Sequence, residues 1–135
     1  MIVDTSAILA FFDRDEPDHE ALTAVLTQSS DPLVVSPYVI AEVDYLIGTR
    51  LGVAAEIAAL RELAGGAWEL ASIDSTDLMR TVPIIERYAA HAVGVADASN
   101  VVLADRYRTT TVATLDRRHF SVLRPLSGGY FAIVP

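Results

Sequence analysis

Met1-Ile2-Val3-Asp4-Thr5-Ser6-Ala7 opens the chain, and Thr111-Val112-Ala113-Thr114-Leu115-Asp116 echoes it near the other end. Each is a short apolar run that closes on an aspartate. Runs of this kind, without polar alternation, are typical of strands in a parallel sheet covered by helices on both faces. Between them, amphipathic stretches of helical period alternate with further short apolar runs, which predicts an α/β fold with a mainly parallel central sheet.

Working outward, Ile2 to Asp4 is the first predicted strand, with Thr5 or Ser6 capping a helix that runs to Phe12. An acidic loop, Asp13-Arg14-Asp15-Glu16-Pro17-Asp18, leads to a helix from His19 to about Gln28. Leu33 to Val35 is the second strand. Ser36-Pro37 then opens a helix whose Val39, Ile40, Val43, Leu46 and Ile47 form one apolar stripe. Gly52 interrupts it, and Ala54 to Ala64 forms another helix. Trp68 to Ile73 is the third strand, and a helix from about Thr76 meets Pro83, which is expected to kink or restart it. Ala96 to Tyr107 is helical, Thr111 to Leu115 is the fourth strand, and Tyr130 to Val134 is an edge strand after Ser127-Gly128-Gly129. With 135 residues, 52% of them hydrophobic, the chain is expected to form one domain spanning 1–135.

Composition narrows the function. Cysteine is absent, which excludes disulfides, thiolate nucleophiles and cysteine-based zinc sites. No apolar run is long enough to span a bilayer, and the first residues lack a basic leader, so a soluble, cytoplasmic protein is expected. The net charge of −8 argues against nucleic acid at first sight. Its distribution does not: residues 1 to 90 hold fifteen acids and five arginines, whereas residues 91 to 135 hold three acids and five arginines. All ten basic residues are arginine.

Four acids stand out. Asp4, Glu42, Asp97 and Asp116 each lie within or at the end of an apolar stretch, where an unpaired charge costs several kcal/mol and demands a compensator such as a divalent cation. Asp4 and Asp116 fall at the carboxyl ends of predicted strands, the edge where open α/β sheets bind ligands. Asp97 sits in the first turn of its helix with Asn100 one turn on, while Asp105, roughly 12 Å further along the axis, is too far to share that site. On a helical wheel Glu42 and Asp44 border the same apolar stripe from opposite sides, so periodicity leaves the choice between them open.

Met1-Ile2-Val3-Asp4-Thr5-Ser6-Ala7, Tyr38-Val39-Ile40-Ala41-Glu42-Val43, Gly94-Val95-Ala96-Asp97-Ala98-Ser99-Asn100 and Thr114-Leu115-Asp116 resemble, in order and spacing, the motifs of PIN-domain ribonucleases. The sequence is most similar to the VapC toxins of bacterial toxin-antitoxin pairs, in particular the mycobacterial type, and Asp116-Arg117-Arg118-His119-Phe120 extends the likeness. The resemblance implies a three-layer α/β/α fold and an acidic site of Asp4, Glu42, Asp97 and Asp116, and it selects Glu42 over Asp44. It further implies a metal-dependent endoribonuclease that cuts structured RNA (transfer or ribosomal), forms a homodimer and is neutralised by a cognate VapB-type antitoxin.

Oxygen donors suit Mg²⁺, with Mn²⁺ able to substitute. Two carboxylates about 5 Å apart repel by about 3 kcal/mol at an effective dielectric near 20, and a cation reverses that sign. Asp4, Asp97 and Asp116 are the expected metal ligands, and Glu42 binds metal or orients water. Thr5, Ser6, Asn100 and Thr114 are candidates for holding the carboxylates in place. Arg117 and Arg118 are candidates for RNA phosphate, with pairing to the acid-rich surface as the other reading. Of His19, His91 and His119, no two have metal-ligand spacing, and His119, three residues after Asp116, has the best claim to the site. A haloacid-dehalogenase-type phosphatase would need an aspartate where Ser6 stands, and a receiver domain would need a lysine. A structure-specific DNA nuclease and a non-catalytic PIN-like binding module are the remaining alternatives. The apolar helices around Val39 to Ile47 and Ala54 to Leu63 serve a partner or the core.

Overall fold

The computed structural model describes residues 1–135. Five strands, β1 (Ile2–Val3), β2 (Val34–Val35), β3 (Glu69–Leu70), β4 (Thr111–Ala113) and β5 (Ala132–Val134), form one sheet in the order β3-β2-β1-β4-β5. Every pairing is parallel, with Ile2 opposite both Val34 and Val112. The strand alternation divides the core in two. Val3, Val35 and Ala113 face α1 (Thr5–Phe12), α2 (His19–Gln28), α3 (Pro37–Leu51) and α4 (Val53–Leu63). Ile2, Val34 and Val112 face α5 (Ser75–Arg87), α6 (Val95–Arg106), and Phe120 and Phe131. Both faces are therefore covered, which is why the strands carry no polar alternation.

Local chemistry sets the element ends. Ser36 caps α3 by accepting the Tyr38 amide at 3.2 Å, with Pro37 pre-set for the first turn. Asp74 and Asp77 close a capping box on α5, and Asp77 also pairs with Arg106 of α6, which holds its carboxyl below the usual range. The α6 helix is buried almost all round from Ala98 to Ala104, as a helix between two layers must be. Its buried Ser99 hydroxyl donates to the Ala96 carbonyl at 2.7 Å and lies 2.6 Å from that of Ser36, so both are satisfied.

Several expectations are corrected. Asp4, not Thr5 or Ser6, occupies the N-cap of α1, with extended backbone. The third strand is confined to Glu69–Leu70, although the Ala71 amide still reaches the Val35 carbonyl; beyond it the chain leaves the sheet edge, and the Ser72 carbonyl accepts from Arg106. Thr114 still donates its amide to the Val134 carbonyl, but the Leu115 amide turns to the Ser6 hydroxyl at 2.9 Å, which ends β4. Gly128 and Gly129, at φ of 91° and 79°, turn the chain into a shorter β5. Pro83 neither stops nor restarts α5, which runs through it; the amide it lacks falls on a turn carrying the exposed Met79 and Val82. A short helix, α7 (Arg117–Val122), was not expected from the sequence. No helix is long and apolar enough to cross a membrane.

Candidate active site

Strand β1 delivers Asp4 to the carboxyl edge of the sheet, and neighbouring β4 delivers Thr114 and Asp116 beside it. Asp4 is 5% exposed. One carboxylate oxygen accepts from Thr114 Oγ1 at 2.8 Å and Ser6 Oγ at 3.0 Å, and the other from Asn100 Nδ2 at 3.2 Å. Burial pushes its pKa up, opposed by the Thr114 and Ser6 hydroxyls. Ser6 also accepts the amides of Leu115 and Asp116, at 2.9 and 3.3 Å, and so ties the start of α1 to the turn after β4.

The other acids close the ring. Thr5 Oγ1 donates to Glu42 Oε2 at 2.6 Å across from α1 to α3. Asp97, in the first turn of α6, lies 3.2 Å from His119 Nδ1, and Asp116 lies 3.6 Å from the same nitrogen. Asp116 caps α7 by accepting the Arg118 amide at 3.1 Å. All four acids and His119 line one cleft of about 460 Å³. Burial, then the charge of Asp4, push the Asp97 pKa up to about 6, with His119 opposing and Glu42 adding. A carboxylate whose pKa is raised by burial and by neighbouring acids is characteristic of functional clefts.

Although all four lie within or at the end of apolar stretches, only Asp4 is buried: Asp97 and Asp116 are half-buried and Glu42 is exposed. Glu42 enters the cleft because its side chain leans toward Thr5. Asp44 and Asp105 are not among the cleft residues, and Asp105 pairs with Arg80 at 2.6 Å. Among the histidines, His119 reaches the cleft, whereas His19 contacts the Ala10 carbonyl at 2.8 Å. Arg117 donates to the main-chain oxygen of Pro135 at 2.7 Å, and Arg118 is 86% exposed beside Asp116. Arg50 also lines the cleft from α3; the sequence signal for it is its place about two turns after Glu42 on the same helix face.

A hard cation suits these donors, all of them oxygen apart from His119. As the side chains stand, no three acidic or histidine residues are placed to hold one ion together; Thr5 binds Glu42, His119 lies between Asp97 and Asp116, and the Arg118 amide binds Asp116. An ion of this kind keeps several waters and needs only one or two direct carboxylates. Asn100 Oδ1, buried without a protein partner, adds an oxygen free to accept from such water.

Residues 1–124 match the PIN domain family model. The chain belongs to the PIN-domain family, among its VapC ribonuclease toxins. It is 59% identical to Ribonuclease VapC26 of Mycobacterium tuberculosis over 135 residues, the whole of both chains. Its fold is also that of a solved VapC, the sarcin-ricin loop cleaving toxin VapC20 of Mycobacterium tuberculosis, with a TM-score of 0.84 and 16% identity over 99% of this chain and 98% of that one.

Proposed function

We propose that this VapC protein, as a single PIN domain over residues 1–135, is a metal-dependent endoribonuclease that hydrolyses phosphodiester bonds in structured RNA, transfer or ribosomal. The observation that carries the proposal is the gathering of Asp4, Glu42, Asp97 and Asp116 in one cleft where repulsion and burial hold Asp97 near a pKa of about 6. Asp4, Asp97 and Asp116 hold Mg²⁺, or Mn²⁺ in its place, directly or through water. When bound, the ion lowers the pKa of a water and polarises the scissile phosphate. Glu42, fixed by Thr5, shares in holding the ion or orients the attacking water. Ser6, Thr114 and Asn100 keep Asp4 oriented by hydrogen bonds, and the Thr114 and Ser6 hydroxyls offset part of the cost of burying its charge. Arg118 is free to meet RNA phosphate. Arg117 contributes from beside it.

Partners follow from the same reading: a cognate VapB-type antitoxin, the RNA, a second copy in a homodimer, and a cytoplasmic setting where those RNAs are found. Induced without its antitoxin, the protein should generate new RNA ends at a small number of positions in transfer or ribosomal RNA, mapped by sequencing. Purified protein should lose cleavage in EDTA and regain it with Mg²⁺ or Mn²⁺. Full activity in EDTA, or cleavage of flap DNA in preference to RNA, would overturn the proposal.

Thr114→Val tests the support of Asp4 separately. The substitution keeps shape but removes the 2.8 Å donor to Asp4 and the 3.0 Å acceptor for the Asp116 amide. Cleavage should fall about 10- to 100-fold, as for other residues that orient metal ligands, and higher Mg²⁺ should recover part of it. Unchanged activity would show that Thr114 serves only the fold.

A further inference from the structure

We propose that the groove between α5 and residues 124–130 is a second RNA-binding site, which holds substrate strand leading away from the acidic cleft; this rests on the ribonuclease reading above. The groove has a volume of about 710 Å³, and Arg80, Arg87, Arg124, Tyr88 and Tyr130 line it without a single acidic residue. In a chain of net charge −8, three arginines in an acid-free groove are a local reversal of sign. Arg80 is paired with Asp105, but no carboxylate pairs with Arg87 or Arg124.

The aromatic residues decide what kind of anion fits. Arg124 lies over the Tyr130 ring at 4.2 Å, and Arg87 over Tyr88 at 5.4 Å. Arg124 is also held in place, its Nη1 donating to the carbonyls of Ser121, Val122 and Leu123 at 2.8, 2.8 and 2.9 Å. Tyr130 is 73% exposed. A fixed Arg124 guanidinium beside the exposed Tyr130 ring, with Arg87 over the half-buried Tyr88, suits a strand that offers both phosphates and stacking faces, the chemistry of single-stranded RNA. A simple anion would leave the rings unused. A two-fold contact with a second copy would set this arginine-rich surface against itself, which like charges oppose.

Both walls of the groove lead to the acidic cleft. From Arg87 and Tyr88 the chain passes through Ala89–His91 to Ala92 and Gly94, which line that cleft. From Asp116 and His119 it runs along α7 to Arg124. That path is on the order of 10 Å by helical rise, so one strand can occupy both sites. The exposed Tyr130 and the unpaired Arg87 are the residues to change, because neither belongs to the core or to the acidic cleft.

The test uses the full-length protein carrying Asp97→Asn, so that RNA survives, and labelled oligouridylates, either long enough to reach both sites or a tetranucleotide. Stacking is sequence-tolerant, which makes a homopolymer a valid probe. Adding Arg87→Ala and Tyr130→Ala should weaken binding of the long RNA about tenfold or more and reduce its salt dependence. Binding of the tetranucleotide should be unchanged. Tyr130→Phe, which keeps the ring, should restore the contribution of that position, and Arg61→Ala, which removes the same charge from α4, should have little effect. Equal binding of long RNA by the double variant and its parent would overturn this site while leaving the ribonuclease reading intact. Loss of self-association or of antitoxin binding with RNA affinity unchanged would also overturn it, by making the groove a protein interface. If the Asp97→Asn parent binds neither RNA, this site is overturned as well, and if the wild-type protein also cleaves no RNA, the ribonuclease reading itself fails.

Discussion

Asp97→Asn should abolish RNA cleavage, by on the order of 10³-fold or more, and at the same time stabilise the metal-free fold near neutral pH. The first effect follows from the proposed role of Asp97 in holding the metal ion; a factor of 10³ is about 4 kcal/mol of transition-state stabilisation. The second follows from linkage. Burial and the neighbouring acids raise the Asp97 pKa from 3.8 to about 6, so the folded state favours the protonated form. The stability this gives is complete below pH 3.8 and is lost as pH rises through about 6. Above that, ionised Asp97 opposes folding, and asparagine removes the opposition. The raised pKa corresponds to roughly 3 kcal/mol at most; because solvent reaches the cleft, about 1 to 2 kcal/mol is expected. Thermal melts in EDTA should therefore show the variant a few degrees above wild type at pH 7.5, with the gap closing toward pH 4. Asp44→Asn and Asp105→Asn should keep activity within a few fold. Equal loss from all three substitutions, or an active Asp97→Asn, would remove Asp97 from the site.

Replacing one arginine of the antitoxin should relieve inhibition by about 2 to 5 kcal/mol, if that arginine is the group that enters the acidic cleft. The electrostatics favour a guanidinium there: four carboxylates share about 460 Å³ with His119, and Arg50 is the only other basic residue that lines it. A guanidinium pairs bidentately with carboxylates that would otherwise hold Mg²⁺, so metal and arginine should compete. Complex formation should suffer less than inhibition. Tyr45, Leu51, Val53, Ile57 and Leu60 stand exposed on α3 and α4, away from the acids, where a partner could hold on by hydrophobic contact. Alanine replacement of each basic antitoxin residue, with nuclease activity and affinity measured at several Mg²⁺ concentrations, is the check. If no replacement relieves inhibition and Mg²⁺ never shifts the antitoxin's potency, inhibition acts by blocking RNA access or the dimer.

The apolar helices show how far periodicity reaches. The Val39, Val43 and Ile47 stripe is core, as are Ala59 and Leu63 of α4, while the exposed residues of the same helices are left for partners. Periodicity finds a buried stripe but cannot say what meets the opposite face. Strand lengths were overestimated for a related reason: apolar runs continue past the last ladder bond, and where pairing stops depends on groups such as the Ser6 hydroxyl and Arg106, which come from distant parts of the chain.

What the sequence determined by itself was local or repeated: the parallel α/β pattern from its apolar runs, and the placing of Asp4 and Asp116 at strand ends, where backbone geometry alone puts them on one edge. Motif order added the family. The tertiary structure decided everything that depends on distance between remote residues. It set Glu42, which motif order rather than the helical wheel had chosen over Asp44, against Thr5, and it folded the unexpected α7 back so that His119 meets Asp97. It also separated buried Asp4 from exposed Glu42, and it assembled the Arg87, Arg124 and Tyr130 groove from segments some forty residues apart. Charge and burial are sums over neighbours in space, and most of those neighbours are not neighbours in the chain.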